Sequence, residues 1–222
     1  MSPKDLCSPG RQDTWILCFA QNDKSKKAGS TNKKNNSLEQ RPSFHRKVLE
    51  GNLNGTGKRF GIVVSRFNAF ITERLLQSAF EGLLRSGVSE KSIRIIRVPG
   101  SFEIPSAART LAETGKYDAI ICLGCLLRGD TAHYDVIVNE VTRGIGQAAQ
   151  ETGVPHAFGV LTCDTLEQAI DRAGLKMGNK GFEAALAAVE MANLNRAISR
   201  QASHVRKSTK SKPRSLSKKR KR

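Results

Sequence analysis

Leu123-Gly124-Cys125-Leu126-Leu127-Arg128-Gly129-Asp130-Thr131-Ala132-His133-Tyr134-Asp135 is the stretch that decides the fold. It closes an apolar run over residues 119–127, which predicts a buried strand, and it opens a helical pattern from residue 131 to about 151. A strand that turns into a helix through a glycine presents backbone N–H groups at the helix N-terminus, which favours an anion such as phosphate. His133 is predicted in the first turn of this helix, within reach of that anion.

The same alternation of strand and helix occurs before and after this stretch. Apolar runs predict further strands at 59–65, 93–98 and 157–161, and residues 48–53 resemble a short, poorly alternating strand. Helical spacing of apolar residues predicts helices at 68–86, 104–113, 166–173 and from 182 to about 198. Strands that alternate with helices through short loops predict an α/β domain: a flavodoxin-like three-layer sandwich with a four-stranded parallel sheet.

Polar side chains follow every predicted strand. Ligands of open parallel sheets bind at the carboxyl ends of the strands, so we expect these side chains to converge on one small-molecule site. The four groups are Arg66-Phe67-Asn68, Ser101-Phe102-Glu103, Gly129 to His133, and Thr162-Cys163-Asp164.

The charge of the chain predicts its domain organisation. The chain has 222 residues and a net charge of +17, but residues 1–47 contribute +6, residues 196–222 contribute +12, and residues 48–195 have a net charge of −1. We therefore predict one domain at 48–195 between two disordered basic tails, 1–47 and 196–222. The N-terminal tail has an organellar transit peptide as its alternative, and the C-terminal tail is either a solvated segment, a polyanion-binding segment or a nuclear-import signal.

Cysteine usage and hydropathy favour a cytoplasmic protein. The five cysteines are too scattered for a disulfide framework. Cys122 and Cys125 form a C-x-x-C pattern within a predicted strand, where i and i+3 point to opposite faces, so we interpret them as buried strand residues and not as a metal or redox site. No apolar run approaches the ~20 residues that a membrane span needs.

Five residues that follow the predicted strands have chemistry that suits a ligand. Phe67 could stack on a planar ring or pack as a core residue, and Glu103 could accept hydrogen bonds from hydroxyl groups or remain a solvated helix-start carboxylate. His133 suits proton transfer near neutral pH, with a packing or capping role as its alternative. Arg172 could clamp a phosphate; for it, as for Lys180, the alternative is a solvated cation.

Common cofactor and nucleophile motifs are absent from the sequence. It contains no GxGxxG, no P-loop, no HExxH and no plausible Ser/His/Asp grouping by spacing. We therefore expect a mechanism without cofactor, metal or covalent nucleophile.

Four motifs in order resemble the 6,7-dimethyl-8-ribityllumazine synthase family, over about residues 49–195. Four motifs at four strand ends are more specific than any one of them. They stand as Ser65-Arg66-Phe67-Asn68, Val98-Pro99-Gly100-Ser101-Phe102-Glu103-Ile104-Pro105, Arg128-Gly129-Asp130-Thr131-Ala132-His133-Tyr134-Asp135, and Glu167-Gln168-Ala169-Ile170-Asp171-Arg172-Ala173-Gly174 continuing to Gly178-Asn179-Lys180-Gly181.

The resemblance implies a reaction of riboflavin biosynthesis. An amino group of 5-amino-6-(D-ribitylamino)uracil condenses with the ketone of 3,4-dihydroxy-2-butanone 4-phosphate, phosphate is eliminated, and the second ring closes with loss of water. It also implies that His133 transfers protons and that Phe158 comes from a neighbouring subunit to cover the substrate. The substrate-binding residues that it implies are Phe67, Asn68, Ser101, Phe102, Glu103, Cys125, Leu126, Leu127, Asp130, Thr131, Phe158, Arg172 and Lys180.

The resemblance further implies a homopentamer, in some members packed twelvefold as a hollow 60-subunit shell, with riboflavin synthase as a partner. The short link over residues 174–181 resembles that of shell-forming members. Ser101 stands where Ala or Gly is common in the family and Cys125 where Thr or Val is common.

Two other functions compete with the enzyme. The first is a lumazine- or flavin-binding shell whose basic tails engage nucleic acid; the presence of both His133 and Arg172 favours the enzyme over it. The second is a flavodoxin-like electron carrier, which the absence of a Ser/Thr-rich phosphate loop after the first strand disfavours.

Overall fold

The computed structural model describes residues 48–210, in which strands and helices alternate as predicted. The predictions for residues 1–47 and 211–222 lie outside the described residues. A single 3₁₀ turn, Glu90–Ser92, precedes the second strand. The elements are β1 (Phe60–Ser65), α1 (Ala69–Arg85), β2 (Ile93–Val98), α2 (Ile104–Glu113), β3 (Ala119–Leu127), α3 (His133–Thr152), β4 (His156–Cys163), α4 (Leu166–Arg172) and α5 (Lys180–Lys210).

The four strands form one parallel sheet in the order β2-β1-β3-β4. The chain moves outward from β1 to β2 on one side and from β3 to β4 on the other. The strand order therefore reverses between β1 and β3, and this switch point is where open α/β sheets bind ligands.

Apolar residues cover both faces of the sheet, so the predicted three-layer α/β fold is confirmed. One cluster joins the sheet to α1 and α5 and includes Leu75, Leu123 and Ala185. The other joins it to α2 and α3 and includes Ile104 and Val141. Strands covered on both faces must be apolar along their length, which is why the sequence shows continuous apolar runs.

The two cysteines of the C-x-x-C pattern lie on opposite faces of β3, as the strand period predicts. Cys125 belongs to the cluster under α1 and α5, and Cys122 to the cluster under α2 and α3. Burial raises the pKa of each thiol to about 12. Both are therefore neutral core residues at physiological pH.

Helices α1 and α5 approach closely because small residues face each other. A Cβ atom at Gly181 would lie only 2.1 Å from the carbonyl oxygen of Leu75, and one at Gly82 would lie 3.1 Å from the Cβ of Ala185. Asn179 supports this contact by donating from Nδ2 to the carbonyl oxygen of Arg74 at 3.3 Å. The first turn of α5 is thus held against the middle of α1.

Two details of the secondary-structure prediction differ from the structure. Residues 48–53 form no strand. The last helix, predicted from 182 to about 198, is longer, because α5 continues through Lys210. No Gly or Pro occurs between residues 182 and 212. A helix that is already nucleated in the core can extend through a segment without Gly or Pro, and it does not need an apolar face to do so.

Among the described residues, no helix is long and apolar enough to cross a membrane.

We predict that Gly181→Ala destabilises the fold by about 1–3 kcal/mol, because the new methyl group must push backbone against backbone. The measurement is the free energy of unfolding in urea.

Gly146→Ala is the matched control. Gly146 lies within α3, and a Cβ there would meet nothing within 4 Å. The replacement should be neutral or stabilise the helix by roughly 0.5–1 kcal/mol. Equal stability of the two variants would refute the proposed role of the α1–α5 contact.

Candidate active site

Backbone hydrogen bonds join the carboxyl ends of the strands in two pairs. Arg66 donates to the carbonyl oxygen of Val98 at 2.8 Å and Phe67 to that of Pro99 at 3.1 Å, which joins β1 to β2. Arg128 donates to the carbonyl oxygen of Cys163 at 2.9 Å, which joins β3 to β4. The loops that carry the predicted site residues are therefore tied to the same edge of the sheet.

Asn68 closes the gap between β1 and β3. Its backbone is left-handed, with φ of 59°, a conformation that Asn tolerates better than most residues. Its side-chain Nδ2 donates to the carbonyl oxygen of Cys125 at 2.9 Å, across the switch point. Asn68 therefore acts through the backbone of β3 in this structure, and it leaves the neighbouring Phe67 ring 68% exposed at the sheet edge.

The turn after β2 lies over β3. Gly124 has no side chain, and a Cβ there would lie 2.7 Å from the Oγ of Ser101. Ser101 is buried, and its Oγ has no hydrogen-bond partner among the described residues. Glu103 accepts from the backbone N–H of Gly100 at 2.8 Å, so one carboxylate oxygen stabilises the turn, while the ring of Phe102 remains exposed.

The loop between β3 and α3 presents the predicted anion-binding residues. Helix α3 begins at His133, two residues later than predicted, because residues 129–132 form an open turn. Asp130, Thr131 and His133 are exposed, and none of their side chains has a hydrogen bond to another described residue. These groups are free to meet a ligand from solvent.

Arg172 lies at the end of α4, close to the carboxyl end of β4. Its positive charge acts on the Cys163 thiol, whose pKa is raised mainly by burial and is lowered in part by this guanidinium. Arg172 is half-buried and makes no ion pair with another described residue. Lys180 differs, because its Nζ pairs with Glu183 at 2.6 Å in the first turn of α5.

Phe158 lies far from these residues within its own chain. It pairs with Cys122 in the sheet, three positions before Cys125, on the edge strand β4. Leu127, the last residue of β3, lies five positions beyond Cys122, so at 3.3 Å per residue Phe158 is offset by about 16 Å from the carboxyl end of the neighbouring strand. Phe158 is 45% exposed, on an edge of the sheet where the described residues supply no further strand.

Sequence reasoning missed a group of charges at this edge. The guanidinium of Arg128 bonds both oxygens of Asp135, at 3.1 and 3.0 Å, and one oxygen of Asp164, at 2.8 Å. It also stacks on the Tyr134 ring, with Cζ 4.2 Å from the ring centroid. Arg128 and Asp135 lie in one sequence motif, but Asp164 is 36 residues away, so only the fold brings the three together.

No group of three or more His, Cys, Asp or Glu residues within the described part of the chain could hold a metal ion. Two surface cavities, of about 320 and 480 Å³, lie elsewhere. The first lies beside α1 near Phe80, and the second, near Pro155, lies at the opposite end of the sheet. Neither contains a predicted site residue.

Comparison with known proteins gives the family. A family model for 6,7-dimethyl-8-ribityllumazine synthase matches residues 57–196. The chain belongs to this family. It is also 56% identical over 146 residues to the 6,7-dimethyl-8-ribityllumazine synthase of Desulfotalea psychrophila (strain LSv54 / DSM 12343), a match that covers 66% of this chain and 94% of the relative.

Membership of the lumazine synthase family confirms three predictions from the sequence: the family, the α/β fold and the enzymatic function in riboflavin biosynthesis. The chain is accordingly a transferase. The roles of the individual site residues stay predictions.

We predict that Asn68→Ala destabilises the protein more than Asn68→Gly does. Alanine loses both the hydrogen bond to Cys125 and tolerance of the left-handed backbone, whereas glycine loses only the bond. Urea unfolding should place the glycine variant about 1 kcal/mol below the wild type and the alanine variant a further ~1 kcal/mol below it. If the glycine variant matched the wild type, the bond across the switch point would contribute no stability.

Proposed function

We propose that this chain condenses 5-amino-6-(D-ribitylamino)uracil with 3,4-dihydroxy-2-butanone 4-phosphate, releasing phosphate and water, and that the edge of the sheet described above is where it does so. The observation that carries the proposal is the convergence of four strand ends on one edge, with exposed aromatic rings, an unpaired histidine and an unpaired arginine. Such a site works by orienting two substrates and by moving protons, without a cofactor.

The β1 and β2 ends supply the proposed pyrimidine site. Phe67 offers an exposed ring face for stacking on the heterocycle. Glu103 uses one oxygen on the Gly100 N–H, and an ionised carboxylate has further acceptor sites for ribityl hydroxyl groups. Ser101, Phe102 and the end of β3 at Cys125, Leu126 and Leu127 complete the pyrimidine site in this proposal.

The β3 and β4 ends supply the proposed phosphate site. The backbone N–H groups of Asp130 and Thr131, near the start of α3, face the phosphate, and Arg172 provides the bidentate donor. Negative charge develops on the departing phosphate during elimination, and these donors stabilise it. His133, at the first position of α3, transfers the protons that condensation, elimination and ring closure require.

The proposed site is completed by a neighbouring subunit. Phe158 is exposed on an edge strand and offset from its own chain's site, so it can cover a site only in another copy. We propose that the chain forms a homopentamer in the cytoplasm and that Lys180 lies close to the site shared between two subunits. The short link over residues 174–181 favours packing of the pentamers into a 60-subunit shell. The proposed partner is riboflavin synthase.

We predict that His133→Ala and Arg172→Ala change different kinetic constants. The first should lower kcat by about 10²- to 10⁴-fold, because it removes the proton-transfer group. The second should raise KM for the phosphate substrate by roughly 10- to 100-fold, because it removes a charged donor. Steady-state growth of lumazine absorbance with each substrate varied gives both constants.

Arg85→Ala is the control for loss of an exposed guanidinium, because Arg85 lies in the last turn of α1, where it pairs with Glu81 and lies over the Phe182 ring, and it contacts no predicted site residue. Its kcat and KM should equal those of the wild type. Wild-type kinetics in both His133→Ala and Arg172→Ala would remove this mechanism, and a wild type that binds a lumazine without turnover would replace the enzyme by a binding shell.

A second function, polyanion binding by the basic C-terminal segment, is favoured by one further observation. Helix α5 continues beyond the domain core through Lys210, and residues 196–222 carry twelve Lys/Arg and no Asp/Glu. A segment rich in Lys and Arg that contains no Asp or Glu attracts phosphate backbones by releasing counterions. Polyanion contact is therefore proposed in addition to the enzyme activity.

We predict that the full-length chain binds a single-stranded oligonucleotide with an affinity that falls steeply with salt, and that a chain ending at Asn195 binds at least tenfold more weakly at low salt. Fluorescence anisotropy between 50 and 200 mM salt measures both. The lumazine turnover of the shortened chain is the control and should not change. Equal affinity of the two chains would overturn the proposal.

A further inference from the structure

Arg128 is the most highly connected side chain at the candidate site, and neither the sequence motifs nor the proposed reaction gives it a role. Its backbone N–H extends the β3–β4 ladder by one bond, to the carbonyl oxygen of Cys163 at 2.9 Å. Its guanidinium then bonds Asp135 through two nitrogens and Asp164 through a third. One residue at the end of β3 thus contacts the start of α3 and the loop after β4.

The contact with α3 determines where His133 stands. Tyr134 and Asp135 are the two residues that directly follow His133 in the first turn of α3. Cζ of Arg128 lies 4.2 Å from the Tyr134 ring centroid, and the guanidinium forms a bidentate hydrogen-bonded pair with the Asp135 carboxylate. Arg128 therefore holds both residues at once. The His133 side chain has no hydrogen bond to another described residue, so the placement of its backbone in the first turn of α3, next to the two residues that Arg128 holds, sets where the imidazole lies.

The contact with Asp164 extends to the element that carries Arg172. Asp164 precedes α4, whose start is closed by a reciprocal cap: Thr165 Oγ1 accepts from the Gln168 N–H at 3.3 Å, and Gln168 Oε1 accepts from the Asp164 N–H at 2.9 Å. Asp164 is therefore part of an ordered turn. Through it, Arg128 is joined to the short helix that ends at Arg172.

Arg128 also compensates the negative charges of two carboxylates, those of Asp135 and Asp164. Asp135 and Asp164 flank the loop over residues 129–132, where the phosphate is proposed to bind. Both carboxylates would repel that phosphate if they were uncompensated. The hydrogen bonds to Asp135 and Asp164 raise the pKa of Arg128 above its already high value, so the guanidinium stays charged throughout the working pH range.

We propose that Arg128 is a positioning residue of this enzyme: it fixes the first turn of α3, and with it His133, against the end of β4 and the start of α4, and it neutralises the two carboxylates beside the phosphate site. The proposal rests on the function proposed above. It assigns Arg128 no contact with substrate; it acts through Tyr134, Asp135 and Asp164.

The two parts of this role are separated by two substitutions. Arg128→Gln removes the charge and the bidentate contact, and it should lower kcat about 100-fold through misplacement of His133 and raise KM for the phosphate substrate about five- to tenfold through the bare carboxylates. Arg128→Lys keeps the charge but lacks the planar fork, and it should restore KM towards the wild-type value while kcat stays low. A purely structural role would move both constants together in both variants.

Arg109→Gln is the matched control. Arg109 also bridges two carboxylates, Glu113 at 2.8 Å and Glu151 at 2.6 Å, but it joins the ends of α2 and α3 that lie away from the candidate site. Its exposure resembles that of Arg128, at 49% against 44% of the side chain. Loss of this bridge should leave kcat and KM unchanged, and light scattering and circular dichroism should show wild-type assembly and folding in all variants.

A binding measurement keeps this inference distinguishable from the proposed reaction. Calorimetric titration of the full chain with inorganic phosphate needs no turnover. Phosphate should bind five- to tenfold more weakly to Arg128→Gln, and Asp135→Asn with Asp164→Asn added to that variant should restore the affinity. Three results would overturn the inference: equal phosphate affinity of Arg128→Gln and the wild type, no phosphate binding by the wild type, or equal KM for the phosphate substrate in Arg128→Gln and Arg128→Lys. A wild type that binds phosphate without turnover counts against the proposed reaction alone.

Discussion

The hydrogen bond from Asn68 Nδ2 to the carbonyl oxygen of Cys125 spans the one place where the sheet's strand order reverses. In a parallel sheet, consecutive crossovers leave this point to opposite sides, so no connecting loop covers it and the carboxyl ends of β1 and β3 are open to solvent. The backbones of β1 and β3 pair as far as Val64 and Leu123, and beyond that point a side chain adds the next bond between them. Asn68 does so at the cost of a left-handed backbone, and the loops that carry Phe67 and His133 are built outward from the strands that it joins.

The two arginines at this edge of the sheet, Arg128 and Arg172, have different electrostatic environments. The sheet interior is apolar on both faces, so cations and carboxylates are confined to the loops beyond the strand ends. There, Arg128 forms ion pairs with Asp135 and Asp164, while Arg172 has no ion pair among the described residues. The two guanidinium groups are consequently unequal: one organises the protein, and the other remains available to an anion. The environment of each arginine, and not its identity, makes this distinction.

Local signals in the sequence account for most of the fold. The bounds of β2 and α2 follow directly from an apolar run, a Pro-Gly turn and helical spacing, and a glycine ends the pattern of α1. Two features depend on tertiary structure and could not be predicted in this way. Asp164 contacts Arg128 only because β4 lies beside β3. Helix α5 extends through Lys210 because its first half packs against the core, so the unfavourable nucleation step is already complete. Asn68 is an intermediate case, since an asparagine between a strand and a helix is a recognisable signal for a left-handed residue.

The burial of Cys122, Cys125 and Cys163 gives this molecule three internal reporters of its own opening. Each thiol is enclosed in the core, and burial holds the pKa of the two on β3 far above physiological pH. A thiol-directed reagent reacts with the thiolate, and only where it can reach the sulfur. The rate of alkylation at these three cysteines therefore depends on how often the sheet separates from its helices. Alkylation kinetics under native conditions would measure how often the core around the central sheet opens.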